Sequence, residues 1–308
     1  MEEKTELKTW ISGIPYELAF WNNIYRWDCA FEGLRNWSRL GQTIQLEGFD
    51  AVTFLAQFPH PIVLDVGCGI SFAKGDQLPV PGGMQSLEVH YIDPLASYYN
   101  KIIQRYHREM PVVEFGMMEH LACTHQREGV KLIIIQNALD HSAQPIEGIL
   151  QALQVLDVGG CLYLNHHPNE AEAERYKGFH KFNICLDSDQ HLLIWNDCQR
   201  VVLDDLIASF TTCHTTILPN GFVVCTIIKT AEVPSQLLNL QHETARLLNE
   251  QKMLIDLLLH PRYAFGLKLK YWYYNTIHFF VQTLSWERRK KLRQFVYGKK
   301  KLNNIRSC

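Results

Sequence analysis

The stretch Pro61-Ile62-Val63-Leu64-Asp65-Val66-Gly67-Cys68-Gly69-Ile70-Ser71 runs from a short apolar segment into a glycine-rich turn. A brief β-branched run bounded by Pro and Gly reads as a buried strand. Glycines just past it let the backbone turn tightly and come close to a ligand, because no Cβ intervenes. Similar runs recur at residues 88–92, 111–115, 131–135 and 161–164, with helical spacing over 96–108 and 145–156 between them. Short continuous apolar strands alternating with helices predict a parallel sheet covered on both faces. Two further runs, 211–218 and 222–228, are joined by Pro219-Asn220-Gly221, and Asn-Gly between strands signals a hairpin. The expectation is an α/β chain: a Rossmann-like, doubly wound, mostly parallel sheet with a terminal antiparallel hairpin.

In such a sheet, ligands bind beyond the carboxyl ends of the strands. The glycine turn follows the first strand, and Asp93 closes the second. A carboxylate there can accept charge-assisted hydrogen bonds from both hydroxyls of a ribose. A dinucleotide fingerprint requires a third glycine where this chain has Phe72, and no Gly-Lys-Ser/Thr follows as a P-loop would need.

Four motifs stand in order over residues 60–165. Val63-Leu64-Asp65-Val66-Gly67-Cys68-Gly69 comes first and Tyr91-Ile92-Asp93-Pro94 second. Gln136-Asn137-Ala138-Leu139-Asp140-His141 is the third, and the run from Ile149 to Gly160 the fourth. With these the chain resembles the class I S-adenosylmethionine-dependent methyltransferases. The resemblance implies that S-adenosylmethionine is the cofactor, with Asp65, Gly67 and Gly69 in the loop that holds its methionine part. It further implies Asp93 at the ribose, Met117, Met118 and Glu119 near the adenine, and Asn137 near the amino-acid end. Two positions depart from the family pattern. Ser71 replaces a third glycine, and the acid many relatives place near the adenine falls on Met117, with Glu119 the nearest carboxylate.

Transfer to a hydroxyl profits from a general base, most often His, Asp or Glu. Asp140 and His141 end the fourth strand, and His167 follows the fifth in His166-His167-Pro168-Asn169-Glu170. His180 is a further candidate on the segment beyond. Their spacing is not diagnostic of a metal site; a divalent metal on these His and carboxylate groups, as some sugar O-methyltransferases hold, stays an alternative, and none is assigned. Ile14-Pro15-Tyr16-Glu17-Leu18-Ala19-Phe20-Trp21, with the Asn137–His141 and His166–Ala171 stretches, is also similar, more loosely, to methyltransferases of bacterial cell-surface glycan synthesis. That resemblance implies O-methylation of a sugar or glycan precursor, with a small-molecule or glycan acceptor as partner. Two other readings remain open: a noncatalytic cofactor-binding subunit of a glycan assembly complex, and an RNA methyltransferase.

Around this core, residues 1–59 read as an aromatic helical cap, 60–230 as the cofactor-binding domain and 231–308 as a helical, basic extension. At 308 residues with 47% hydrophobic and 20% charged side chains, the chain suits a folded core rather than disorder. The nine cysteines include no C-x-x-C pair and mostly sit in apolar runs, so free thiols in a reducing compartment are expected. No apolar stretch follows the charged N-terminus, and no window approaches the roughly 18 apolar residues of a membrane span. The net charge of −2 conceals a division: residues 287–308 carry nine Lys or Arg against one Glu, leaving an acidic body. The aromatic stretch 263–286 and this basic tail fit an amphipathic segment on an anionic membrane surface through residues 263–308. The expected location is cytoplasmic, peripheral at the inner membrane face. Nucleic acid is the less favoured partner, because no recognisable RNA module accompanies the tail.

Overall fold

The computed structural model describes residues 2–31, 38–106, 109–176, 178–237, 261–282, 284, 288 and 291. It opens on a long helix α1 (Glu2–Phe31), then the short helix α2 (Ala51–Leu55) and strand β1 (Ile62–Val66). A small hairpin, β2 (Gln77–Val80) and β3 (Gly83–Ser86), leads to β4 (Glu88–Asp93), α3 (Ala96–Tyr106) and the two-residue strand β5 (Glu114–Phe115). Next come α4 (Leu121–Thr124), β6 (Val130–Gln136), α5 (Pro145–Val155), β7 (Cys161–His166) and α6 (Glu170–Ala173). Three short strands follow, β8 (Asn183–Leu186), β9 (Leu192–Trp195) and β10 (Arg200–Val202), then α7 (Leu203–Ile207). The hairpin β11 (Thr211–Ile217) and β12 (Val223–Lys229) ends the sheet, and helix α8 (Pro261–Gln282) follows.

Seven strands form the main sheet in the order β11-β12-β7-β6-β1-β4-β5. Strands β5, β4, β1, β6 and β7 are parallel, while β12 and β11 are antiparallel. This is the Rossmann-like doubly wound sheet with the expected terminal hairpin. Its covering on two faces follows from the period-two alternation of side chains. Leu64, Ile133, Ile135, Leu162 and Leu164 pack with α4 and α5 in one cluster. Their sequence neighbours Val63, Leu132, Ile134, Cys161 and Tyr163 pack with α2 and the 44–46 segment on the other side. A third cluster joins α1 and α3 to Tyr91 and to Cys68, Ile70 and Phe72 of the glycine turn.

The structure departs from the sequence expectation in several places. The third sheet strand shortens to Glu114–Phe115. The cap is not helical throughout: after α1, residues 38–50 form turns and isolated bridges, among them Ser38 with Phe72 and Thr43 with Gln77. A second, antiparallel sheet β10-β9-β8 stands between β7 and the hairpin. Cys185 in β8 is disulfide-bonded, against the expectation of free thiols, whereas Cys68, Cys123, Cys161, Cys198, Cys213 and Cys225 are free. Which cysteines meet depends on the segments the fold brings together, and spacing alone does not report it. The basic tail beyond residue 291 lies outside the described residues, as does the leucine-rich stretch 238–260.

Candidate functional site

A cavity of about 420 Å³ opens at the carboxyl ends of β1, β4, β6 and β7. It straddles β1, where the chain steps to β4 on one side and to β6 on the other, the switch point at which open α/β sheets bind ligands. Gly67 and Gly69 form its floor with φ of 69° and 57°. A Cβ on Gly67 would lie 2.4 Å from the Ala138 methyl, and one on Gly69 would lie 2.6 Å from the Trp21 ring. Only glycine satisfies both the left-handed backbone and the lack of space. Phe72, where a dinucleotide fingerprint would need its third glycine, is a core side chain packed edge-on against Tyr91 at 4.8 Å.

Asp93 lies at the end of β4, on the cavity wall. Its Oδ2 accepts the Gly69 N–H at 3.0 Å and its Oδ1 the Leu95 N–H at 2.8 Å. An ionised carboxylate offers about four lone-pair sites, so each oxygen retains capacity for a further donor. Burial pushes the Asp93 carboxyl up to about 7, against the two backbone N–H groups that favour the charge. Asp65 is buried behind the loop and pairs with Lys74 at 2.9 Å, and it is Lys74 that reaches the cavity.

Met117, Met118, Glu119 and Asn137 all line the cavity. Glu119 also serves the fold. One of its oxygens accepts from the Ser142 hydroxyl at 2.6 Å and from the N–H groups of Ala143 and Gln144, fastening the entry to α5. Asn137 holds φ of 49° and accepts the His167 N–H at 3.2 Å, linking the ends of β6 and β7. A left-handed asparagine at a strand end is a locally strained position of the kind that clusters at functional sites.

The candidate bases divide. His166 and His167 are neighbours, but the strand alternation turns His166 inward, where burial pulls its imidazole down to about 4. His167 is exposed at the cavity rim, its ring 4.1 Å from that of Phe222. Asp140 and His141 meet His180, which comes from the loop after α6. Asp140 Oδ2 lies 2.7 Å from His180 Nδ1 and 3.6 Å from His141 Nε2, and the two rings approach at 3.2 Å. Burial alone would raise the Asp140 carboxyl, but the charges of His141 and His180 and the His180 hydrogen bond carry it down to about 2. Burial works against protonated His180, yet Asp140, with Glu170 and Glu174 nearby, holds its pKa above the ordinary value. An ionised Asp140 only accepts, so Nδ1 of His180 carries the proton, and the neutral ring is left with Nε2 as its basic atom. The Lys181 N–H donates to the Asp140 carbonyl at 2.9 Å, which fixes this loop over the strand end. These three side chains converge closely enough to hold a cation as well. The 2.7 Å contact has the length of a charge-assisted hydrogen bond.

Sequence reasoning linked the aromatic stretch of α1 to the acceptor, but not to the glycine turn or the histidine loop. Trp21 covers Gly69 and donates its indole N–H to Glu17 at 2.8 Å, and the Tyr25 hydroxyl donates to the Ile70 carbonyl at 2.5 Å. Trp10 stacks on Phe179 at 5.1 Å, gripping the residue before His180. One helix thus closes over both the glycine turn and the histidine loop. Glu17, Asp93, Glu119, Glu170 and Glu174 line the cavity, with Lys74 as the single Lys or Arg among its described walls. Such a lining favours a cation and disfavours phosphates.

No family model matches the chain, and no curated protein matches it. Solved structures are similar at low identity. A protein from Thermotoga maritima described as an S-adenosylmethionine-dependent methyltransferase, possible histamine N-methyltransferase, is 16% identical, covering 71% of this chain and 99% of that one at a TM-score of 0.39. An rRNA methylase from Streptococcus thermophilus is 18% identical, covering 61% and 98% at 0.35. A 1,6-didemethyltoxoflavin-N1-methyltransferase from Burkholderia thailandensis, with S-adenosylhomocysteine bound, is 16% identical, covering 58% and 75% at 0.32.

Proposed function

We propose that this chain is an S-adenosylmethionine-dependent methyltransferase that O-methylates a sugar or glycan precursor. The observation that carries the cofactor reading is the buried carboxylate of Asp93, held by the Gly69 N–H at the mouth of a glycine turn that no Cβ could enter. Gly67 and Gly69 would hold the amino-acid end with Asn137, Asp93 the ribose, and Met117 and Met118 the adenine. The carboxylate-rich lining suits a sulfonium and repels the pyrophosphate of a dinucleotide. When bound, the cofactor supplies a methyl group on positively charged sulfur for in-line displacement.

The chain's own work is alignment and proton removal. His180 Nε2, held by Asp140 and backed by His141, is suited to take the proton of an acceptor hydroxyl, in the manner of a base oriented by a carboxylate. His167 at the rim and the aromatic rings of Trp10, Tyr16 and Phe179 would contact the acceptor, since the C–H face of a sugar packs on flat rings. The acidic wall favours a neutral sugar there over the phosphate backbone of RNA. The hydrogen-bonded triad favours an active enzyme over a noncatalytic subunit. Methyl-transfer assays with radiolabelled cofactor against free sugars, nucleotide sugars, lipid-linked glycans and RNA test this reading. Product on a sugar hydroxyl is expected, and product on RNA alone would overturn it.

A further inference from the structure

Helix α8 carries large apolar or aromatic side chains on two opposite faces, one lying on α1 and the other largely exposed. Its inner face lies on α1. Asn22 and Asn23 donate to Asn275 Oδ1 at 3.1 and 2.8 Å, Tyr16 meets Tyr274 and His278 at 5.3 and 5.0 Å, and Arg26 sits 4.8 Å over Phe279. The outer face carries Phe265, Leu269, Trp272, Tyr273, Ile277 and Phe280, which are 40–68% exposed. Their spacings of four, three, one, four and three residues put them on a single stripe of a 3.6-residue helix. The same geometry puts the exposed Lys268 and Lys270 on opposite margins of that stripe. Six large apolar side chains in one exposed row are far more than the scattered hydrophobics of an ordinary surface.

Beside the stripe, α8 meets α1 and α3 around a second cavity of about 360 Å³. Its walls include Ile14, Leu18, Tyr98, Ile102, Leu267 and Tyr271, and its rim carries Lys101, Arg105 and Lys268. Apolar walls under a basic rim match an acyl chain ending in an anionic headgroup. The basic character continues in the sequence: Arg288 and Lys291 are exposed, and nine Lys or Arg lie within residues 287–308. Among the described residues no helix is long and apolar enough to cross a membrane. Aromatic residues bordered by lysines are the composition of a helix lying in the headgroup region.

We infer that the outer face of α8 docks the protein on an anionic phospholipid surface. Its aromatic stripe enters the interface while Lys101, Arg105, Lys268 and Lys270 meet the headgroups. Because α8 is fastened to α1, which roofs the 420 Å³ cavity, docking holds that cavity at a fixed height and angle to the bilayer.

Vesicle co-sedimentation of the full chain tests this. It uses phosphatidylcholine alone and an equimolar mixture of phosphatidylcholine and phosphatidylglycerol, at low and high salt. Wild type should pellet with the mixed vesicles and far less with phosphatidylcholine, and high salt should weaken that binding. Leu269→Asp with Trp272→Asp should reduce partitioning at least about tenfold, because both side chains would enter the interface. Since they are exposed, an unchanged melting temperature should accompany the loss. A second variant, Lys101→Gln with Arg105→Gln and Lys268→Gln, should remove most of the preference for phosphatidylglycerol. Failure of wild type to bind mixed vesicles, or full binding by the Asp variant, would overturn the inference. So would a wild-type dimer in light scattering that becomes monomeric in the Asp variant without any vesicle binding, since the face would then be a self-association surface.

Discussion

Asp93 has two consequences that can be measured separately. Its carboxyl is raised by burial to about 7, well above the ordinary carboxylate value. Between about pH 4 and 7 the folded chain therefore holds a proton that the unfolded chain has released, so stability should fall as pH rises through that window. The contribution is at most about 4 kcal/mol. Asp93→Asn should flatten this slope in thermal melts taken from pH 4 to 8, and an unchanged slope would assign it to another group. Asp140 makes the opposite prediction for catalysis. Because it holds the pKa of His180 above the ordinary imidazole value, turnover should rise with pH through that raised pKa as the neutral base forms. Asp140→Asn should move this limb to lower pH, and His180→Ala should lower kcat by about 10²- to 10⁴-fold while leaving cofactor affinity intact. If kcat survives His180→Ala but falls with His167→Ala, the base is the rim histidine instead. Sequence reasoning named His167 rather than its neighbour His166 as the candidate base, without a register to support the choice. Which of two adjacent strand residues faces the core depends on register, and register is a property of the sheet.

At the level of elements, β1 and β6 were legible from their aliphatic runs, and β4 and β7 from shorter mixed apolar and aromatic runs. The glycine turn was legible because its chemistry is local. The β2–β3 hairpin escaped because Pro79 argues against a strand, although Pro81-Gly82 marks the turn and the pair sits apart from the main sheet, where proline is tolerated. Roofing by α1 escaped for a different reason. Its aromatic spacing signals a buried face but not the surface that buries it, and Trp21 and Gly69 are 48 residues apart. His180 likewise reaches Asp140 from 40 residues away. The roof can be tested by the Tyr25 hydroxyl. Tyr25→Phe should cost about 0.5–1.5 kcal/mol of stability and leave the Ile70 carbonyl without this donor. Amide hydrogen exchange should then quicken in α1 before it quickens in β1, and cofactor affinity should fall several-fold. Equal protection in the two proteins would mean that α1 is held by its aromatic contacts alone.

Across the whole molecule, charge is sorted by place. Carboxylates gather in the cavity, while lysines and arginines gather around α8 and in the last twenty-two residues of the sequence. This sorting supports a cationic cofactor inside and an anionic surface outside, and it argues that nicotinamide dinucleotides should not compete for the cavity even when present in excess. The most direct test of the central claim is calorimetric titration of S-adenosylmethionine into the full chain, for wild type and Asp93→Ala. The account predicts saturable binding at one site per chain and an affinity at least about 100-fold weaker in the variant, since two charge-assisted hydrogen bonds to the ribose are lost. No binding to the folded wild-type protein, or equal affinity in Asp93→Ala, would contradict it.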